Sequence, residues 1–165
     1  MKREFKYIKA FDQSTLTYRY HKGNKITLVF IHGGMVNNRC WSYQYDYFKH
    51  KGYSVISLDL RGHGQSKGKR RADSLHNHAK DIEQILQNEK ISNCILVGHS
   101  FGTLVSLTYY KDYPKRVQAL VLLAGTIIPD YPILKQVKRL FQVYSRVKKA
   151  KKKQQQLERN NNDHH

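Results

Sequence analysis

The sequence is poor in cysteine, in proline and in acidic side chains. Its 165 residues include two cysteines and three prolines, and 12 Asp and Glu stand against 30 Lys and Arg. Cys40 and Cys94 are too few and too far apart for a disulfide framework or a zinc site, so we expect both to be reduced core residues. Long apolar runs are lacking as well, and no segment approaches the ~20 residues that span a bilayer.

The amino terminus also lacks the features of a secretory signal. Charged residues interrupt the segment MKREFKYIKAFD throughout, whereas a signal peptide needs a continuous apolar stretch and a small-residue cleavage site. We therefore expect a cytoplasmic protein. The length suits one domain with a hydrophobic core.

The excess positive charge is concentrated at the carboxyl end. Residues 1–134 carry 20 basic and 10 acidic side chains, a net charge of +10, and residues 135–165 carry 10 and 2, a net charge of +8. The last part is rich in Lys, Gln and Asn and cannot bury enough apolar surface to offset the entropy of ordering. Binding of acidic lipid or nucleic acid is an alternative role for this segment. It lacks interleaved aromatic residues, so no nucleic-acid partner is expected.

Apolar runs alternate with helical segments along the chain. The runs lie at residues 26–31, 53–60, 94–98 and 117–125, and their continuous apolar character predicts strands buried on both faces. A hairpin that turns at residues 12–14 precedes them. This alternation predicts an α/β fold, a mostly parallel sheet with helices on both faces, in which ligands bind at the carboxyl ends of the strands.

Two helical segments leave a choice open at the level of sequence. Trp41, Tyr45 and Phe48 share one helical face, but the tyrosines at positions 43, 45 and 47 also fit the period of a strand. The second helix begins after Asp73 or Ser74, either of which can cap it. His76 and His78 open that helix, and we expect them to be exposed and without function.

The sharpest chemical signal is the run Gly98-His99-Ser100-Phe101-Gly102, between a predicted strand and an apolar helix. A serine in that turn must adopt a strained backbone conformation that projects its hydroxyl, and the flanking glycines avoid collisions with neighbouring backbone. An isolated GxSxG also occurs in ordinary tight turns, but the strand before it and the helix after it favour a nucleophile. We predict that Ser100 is the nucleophile and that Gly98, His99 and Gly102 support the turn.

A second glycine motif, His32-Gly33-Gly34, follows the apolar run at residues 26–31. Acyl transfer develops negative charge on a carbonyl oxygen, and each N–H group aimed at that oxygen contributes roughly 3 to 4 kcal/mol. We predict one donor at Phe101 and another in the loop after His32, where glycine lets the chain approach a substrate. A turn that needs glycine for its geometry alone is the alternative.

Three segments together resemble the α/β-hydrolase superfamily. They are FIHGGM at residues 30–35, SLDLRGHGQS at 57–66 and LVGHSFG at 96–102. The resemblance is to the subgroup that includes proline iminopeptidases, enol-lactone hydrolases, monoacylglycerol lipases and small carboxylesterases. It implies Ser100 as nucleophile and an oxyanion hole formed by the N–H groups of Gly34 and Phe101.

The same resemblance implies that His32 and Gly33 support the oxyanion loop and that no metal or cofactor takes part. Asp59 and His63 lie in a segment that shapes the pocket floor in this superfamily, so we expect neither to be catalytic. Haloalkane dehalogenases and epoxide hydrolases of this fold carry Asp at the nucleophile position. Ser100 therefore argues against both activities.

The superfamily places a triad acid and a histidine after two further strands, and neither strand is recognisable in the sequence. The resemblance thus divides the chain into the amino-terminal part of the hydrolase core (1–128), the start of a lid helix (129–149) and a basic polar tail (150–165) expected to be disordered. The carboxyl-terminal strands of the fold are expected to be missing, as in a truncated hydrolase.

Candidates for the two absent triad members are few. Asp130 is a candidate acid, and His164 or His165 a candidate base. Nothing in the sequence would hold a terminal histidine near Ser100, so the triad acid and histidine stay unassigned.

These observations lead to one expected function and one alternative. The expected function is hydrolysis of an ester, thioester, lactone or amide through an acyl-serine intermediate, with a small-molecule acyl substrate. The alternative is a catalytically silent relative that acts as a binding protein. The apolar, proline-free run at 117–125 would form an open sheet edge, from which self-association is expected.

Overall fold

The structure, a computed structural model, describes residues 5–68 and 74–125. Its strands are β1 (Phe5–Lys9), β2 (Thr15–His21), β3 (Lys25–Ile31), β4 (Tyr53–Asp59), β5 (Cys94–His99) and β6 (Val117–Leu123). Its helices are α1 (Ser42–His50), α2 (Leu75–Asn88) and α3 (Phe101–Asp112), with short 3-10 helices at Asn38–Trp41 and Pro114–Arg116. The predicted lid helix at 129–149 and tail at 150–165 lie outside the described residues, and the division of the chain into these parts stays a prediction.

The strands form one mixed sheet in the order β1-β2-β4-β3-β5-β6. β1 pairs with β2, and β2 with β4, in antiparallel fashion, whereas β4, β3, β5 and β6 run parallel to their neighbours. The short turn at residues 10–14 permits the antiparallel hairpin, while each parallel pair requires a crossover connection. The predicted α/β architecture is therefore confirmed.

The two faces of the sheet are covered by different helices. On β3, Leu28 and Phe30 pack in a cluster with Trp41 and Tyr45, which belong to the α1 side. The alternate residues of β3 point the other way and pack with side chains of α2 and α3, in a cluster that includes Val29, Ile31, Ile82, Leu86, Val105 and Tyr109. Because successive side chains of a strand face opposite sides, a continuous apolar strand fills both layers.

The structure resolves the choices that the sequence left open for α1 and α2. In α1, Tyr45 is buried while Tyr43 and Tyr47 are exposed, as a helix requires and an alternating strand does not. The cap of α2 is Ser74, whose hydroxyl accepts a hydrogen bond from the Asn77 N–H at 3.2 Å.

Three expectations about burial are wrong. Cys94 is buried, but Cys40 is exposed because Asn38 and Trp41 take the inward positions of the 3-10 helix. His78 is buried rather than exposed, since the apolar face of α2 extends into its first turn and the His78 ring packs edge-on against Phe101 at 5.4 Å. Strand β6 has no fully buried residue, although its sequence is as apolar as that of β3.

The exposure of β6 follows from its position in the sheet. Within the described ranges it pairs on one side only, with β5, and Val121 is 42% exposed. A long apolar strand with a free edge is a template for pairing with another chain. No helix of the described part of the chain is long and apolar enough to cross a membrane.

We expect the chain to self-associate through β6 as its concentration rises. Light scattering should report a growing mean mass for the wild type, and Val121→Lys should lower it because a charge on an edge strand opposes pairing. An equal mass for both proteins at every concentration would contradict the prediction.

Candidate active site

Ser100 occupies the turn between β5 and α3 in a conformation that most residues avoid. Its φ is 51° and its ψ is −117°, a placement that costs on the order of 1–3 kcal/mol for a residue with a side chain. The turn is held by the Ser100 N–H, which donates to the Leu123 carbonyl at 2.9 Å. Thr103 donates to the Ser100 carbonyl from its N–H at 2.9 Å and from Oγ1 at 2.6 Å. Ser100 is exposed, so its hydroxyl is accessible.

The glycines on either side of Ser100 are required by close backbone approach. A Cβ on Gly98 would lie 2.5 Å from the Gly102 carbonyl oxygen, and a Cβ on Gly102 would lie 2.3 Å from the Ile31 carbonyl oxygen. Both distances are far below van der Waals contact. The turn and the end of β3 therefore pack backbone against backbone.

The glycine loop after β3 passes beside Ser100. A Cβ built on Gly33 would lie 3.3 Å from the Ser100 Cβ, and one on Gly34 would lie 3.7 Å from the Phe101 Cβ. Residues Ile31 and Gly98 are register partners in the parallel pair β3–β5, which brings the two loops together at the carboxyl ends of these strands. The motifs at 32–34 and 98–102, separate in sequence, thus share one site.

Two main-chain donors at this site have no acceptor among the described residues. The N–H groups of Gly34 and Phe101 donate no hydrogen bond to any of the described residues. Phe101 is the first residue of α3, where backbone N–H groups have no intrahelical partner. Within the described ranges, the Ser100 hydroxyl also makes no hydrogen bond.

His32 ties the glycine loop to the loop after β4. The ring is fully buried, its Nε2 accepts from the Leu60 N–H at 2.9 Å, and its Nδ1 lies 2.7 Å from the Gly33 carbonyl oxygen. Because Nε2 accepts, Nδ1 must carry the proton and donate to Gly33. In a planar trans peptide the C=O and the N–H point in opposite directions, so the held Gly33 carbonyl sets the direction of the Gly34 N–H.

We expect this arrangement to make stability depend on pH. Burial, and to a smaller extent the nearby His63, lower the pKa of His32 below its ordinary value of 6.5. Unfolding then takes up a proton in mildly acidic solution, so the free energy of unfolding should fall as the pH drops below about 6.5. His32→Asn keeps a donor for Gly33 but does not titrate, and urea unfolding between pH 8 and pH 5 should show a shallower decline for this variant.

The control for this measurement is His50→Asn, which removes an exposed histidine from α1. Its decline should match that of the wild type. A stability difference between wild type and His32→Asn that stays constant over this pH range would contradict the assignment.

The carboxylate of Asp59 is occupied by loop contacts. Its Oδ1 accepts from the Asn38 N–H at 2.7 Å and from the Asn38 Nδ2 at 2.5 Å, and its Oδ2 accepts from the Gln65 N–H at 2.9 Å. A Cβ on Gly64, where φ is +53°, would lie 2.2 Å from Asp59 Oδ2. Both carboxylate oxygens of Asp59 therefore take part in holding the loop at 60–66 in place.

Arg61 also holds the loop at 60–66 in place. Its guanidinium is fully buried and donates to Asp81 from Nε at 2.7 Å and from Nη2 at 2.6 Å. Its Nη1 donates to Asp12 at 2.8 Å. Burial raises the pKa of Asp12, but hydrogen bonds from Arg61 and Ser14 outweigh it and lower the pKa to about 2. The loop is thus fastened both to α2 and to the β1–β2 turn.

Two histidines lie at the edges of this site. His99, predicted to support the turn, packs its ring edge-on against Trp41 at 6.4 Å. The Nε2 of His63 lies 2.8 Å from the Gly34 carbonyl oxygen, and its Nδ1 lies 3.0 Å from the Arg61 carbonyl oxygen. The sequence did not assign a contact to His63, and no local pattern indicates that it reaches Gly34.

Among residues 5–68 and 74–125, no group of three His, Cys, Asp or Glu side chains is arranged to hold a metal ion. The candidate acid Asp130 and the candidate bases His164 and His165 lie outside these ranges.

Comparison with known proteins agrees with the motifs and the sheet. A family model described as an alpha/beta hydrolase fold matches residues 26–164. The chain belongs to the α/β-hydrolase family. This α/β hydrolase is 29% identical, over 132 residues, to the AB hydrolase superfamily protein YisY of Bacillus subtilis, covering 76% of this chain and 49% of that protein.

Solved structures give the same result. An esterase from Exiguobacterium antarcticum matches with a TM-score of 0.69 at 28% identity, covering 74% of this chain and 46% of the esterase. A mutant epoxide hydrolase from Bacillus megaterium matches with a TM-score of 0.65 at 29% identity, covering 73% and 42%. This α/β hydrolase therefore spans about half the length of these relatives.

Proposed function

We propose that this α/β hydrolase cleaves an ester, thioester, lactone or amide through an acyl-serine intermediate on Ser100. The observation that carries the proposal is the placement of an accessible serine hydroxyl, at a φ of 51°, beside the unused N–H groups of Phe101 and Gly34. Acyl transfer requires a nucleophile with hydrogen-bond donors nearby for the oxyanion.

The proposed reaction has two steps. The Ser100 oxygen bonds to the acyl carbon and its proton leaves to a base, while the former carbonyl oxygen becomes an oxyanion that accepts from Gly34 and Phe101. The bond to the leaving group then breaks, and the leaving group takes a proton. Water cleaves the acyl-serine in the same way, releasing the acid and restoring the hydroxyl.

The base and the acid that orients it are left unassigned. Assigning the whole reaction to this chain is itself part of the proposal, because the chain spans about half of its relatives' length. Without a base, binding and oxyanion stabilisation alone leave about 10³ to 10⁴ over the rate in water, as in triad-deleted serine proteases.

Two other functions are alternatives to this proposal. Similarity to epoxide hydrolases favours opening of an epoxide, but position 100 carries serine where the resemblance places aspartate in those enzymes. A silent relative would keep the pocket as a binding site and lose the chemistry. Covalent modification of Ser100 is expected under the proposal and under neither alternative.

The test uses a fluorophosphonate, which phosphonylates serine nucleophiles with release of fluoride and places its P=O oxygen where the oxyanion would lie. We expect the full chain to be modified, at least slowly, and mass spectrometry to locate the adduct on Ser100. An adduct at other serines alone, or none, would contradict the proposal.

Gly34 provides a second test of the proposed oxyanion hole. A valine side chain there has room toward Phe101, whose Cβ would be 3.7 Å from the new Cβ, but it would stand beside the proposed oxygen position. We expect Gly34→Val to slow modification of Ser100 by about 10²-fold or more, the order of effect seen when one oxyanion donor is lost. Its melting temperature should stay near that of the wild type, and an unchanged modification rate would contradict the role of Gly34.

A further inference from the structure

His63 reaches the glycine loop from a different part of the chain. Its Nε2 lies 2.8 Å from the carbonyl oxygen of Gly34, which is 29 residues away in sequence. A carbonyl oxygen can only accept a hydrogen bond, so the ring donates to Gly34 in the tautomer that carries its proton on Nε2, and to the Arg61 carbonyl oxygen, 3.0 Å from Nδ1, in the other tautomer. The contact joins the loop after β4 to the loop that carries the proposed oxyanion donor.

The two histidines hold the two peptide planes on either side of the Gly34 Cα. His32 donates to the Gly33 carbonyl, which belongs to the plane that contains the Gly34 N–H. With its proton on Nε2, His63 donates to the Gly34 carbonyl, which belongs to the next plane. Glycine has wide freedom in φ and ψ, so fixing one plane leaves the other free to rotate. Both contacts together define the backbone conformation of Gly34.

Packing contributes little to holding this part of the loop. The residue that follows Gly34 is Met35, whose side chain is 97% exposed. The Val36 N–H returns to the Gly33 carbonyl over a long distance of 3.4 Å. Since packing does not fix the position of Gly34, a hydrogen bond from outside the loop is needed to hold it.

The loop that carries His63 is held by several hydrogen bonds and ion pairs. Asp59 accepts three hydrogen bonds from the chain around the loop, and the buried Arg61 guanidinium is bound to Asp81 and Asp12. The hydroxyl of Ser66 donates to the Asp59 carbonyl at 2.7 Å and accepts from the Thr17 N–H at 2.8 Å. A side chain that projects from such a loop can set the position of a neighbouring loop.

We propose that His63 carries its proton on Nε2 and is a positioning residue for acyl transfer. By holding the Gly34 carbonyl it limits rotation at the Gly34 Cα, and this keeps the Gly34 N–H, whose direction is set through His32, in place for the oxyanion beside Ser100. This inference rests on the proposed function of Ser100. It predicts that His63 affects the rate of reaction at Ser100 without touching the substrate.

The experiment measures the second-order rate constant for fluorophosphonate modification of Ser100 in the full chain. His63→Leu removes the donor, and we expect a loss of about 10-fold to 100-fold, less than or equal to the loss of a whole oxyanion donor. His63→Gln, whose amide nitrogen can still donate to Gly34, should recover most of the rate. His50→Leu is the matched control, because the His50 ring also contacts a main-chain carbonyl, that of Asp46 at 2.6 Å, but on α1; it should react like the wild type.

Each outcome decides the question. Modification of folded His63→Leu at the wild-type rate, or no recovery in folded His63→Gln, overturns the inference while the proposed function of Ser100 stands. No modification of the wild type overturns both. Should His63→Leu fail to fold, His63→Asn takes its place, because the shorter Asn side chain does not reach the Gly34 carbonyl. Equal rates for the Asn and Gln variants then overturn the inference. A faster reaction of the Gln variant supports it.

Discussion

Replacing Ser100 with alanine is expected to abolish covalent modification by a fluorophosphonate altogether. The hydroxyl is the atom that bonds to phosphorus, and Ser100 is an exposed serine whose neighbouring Gly34 and Phe101 N–H groups donate to none of the described residues. Alanine occupies the same backbone conformation at a similar cost, so the fold should be retained. Intact-mass spectrometry gives the readout, and Ser92→Ala, at an exposed serine before β5, should react like the wild type.

A second substitution at the same position separates reactivity from stability. The φ of 51° at Ser100 is a conformation that glycine adopts without strain. We expect Ser100→Gly to be as inert as Ser100→Ala and more stable than the wild type by about 1 kcal/mol, at the lower end of the usual cost of such a backbone conformation. Modification of either variant at the wild-type rate would rule out Ser100 as the reacting residue.

Of all the substitutions predicted above, Gly102→Ala is expected to cause the largest loss of stability. The new Cβ would lie 2.3 Å from the Ile31 carbonyl oxygen and 2.8 Å from the His32 carbonyl oxygen, both main-chain atoms at the end of β3. No rotamer change relieves this overlap, so α3 must move away from the sheet. Overpacking of this kind costs typically about 1–3 kcal/mol and sometimes more, and we expect a value at or above the top of that range.

Gly34→Ala is the matched control for Gly102→Ala. It adds the same methyl group to the neighbouring loop, but the nearest atom, the Phe101 Cβ, would be 3.7 Å away. Urea unfolding should place its stability within about 0.5 kcal/mol of the wild type, as for substitutions that disturb no packed feature. Equal stability of the two variants would show that α3 does not lie as close to β3 as in the structure.

Local patterns were sufficient for much of the fold. The hairpin turn and the strand-turn-helix around Ser100 both depend on neighbours in sequence, and both are confirmed, while the structure chose Ser74 from the two caps that the sequence offered for α2. Burial was predicted less well where it depends on distant partners. Cys40 and His78 were assigned to the wrong environment because the inward direction of each is set by the helix that carries it and by the strands beneath.

Strand β6 illustrates the same limit. Its apolar sequence predicted burial on both faces, yet its residues are half-buried or exposed in the structure. The composition of a strand shows which side chains could be buried. Which of them are buried depends on the position of the strand in the sheet. Within the described ranges β6 stands at an edge. We expected that edge because no later strands are recognisable in the sequence, whereas the composition of 117–123 alone predicted a strand buried on both faces.

By itself, the sequence determined the hydrolase family, the strand and helix order, and the turn that carries Ser100, because glycine spacing and hydrophobic periodicity act over short distances. Only the tertiary structure decided which groups meet at that turn. The register of β3 against β5 brings the 32–34 loop beside Ser100, and the fastened loop after β4 brings His63 to the Gly34 carbonyl. Such contacts join residues far apart in the chain, and their distances follow from the packed sheet rather than from any local pattern.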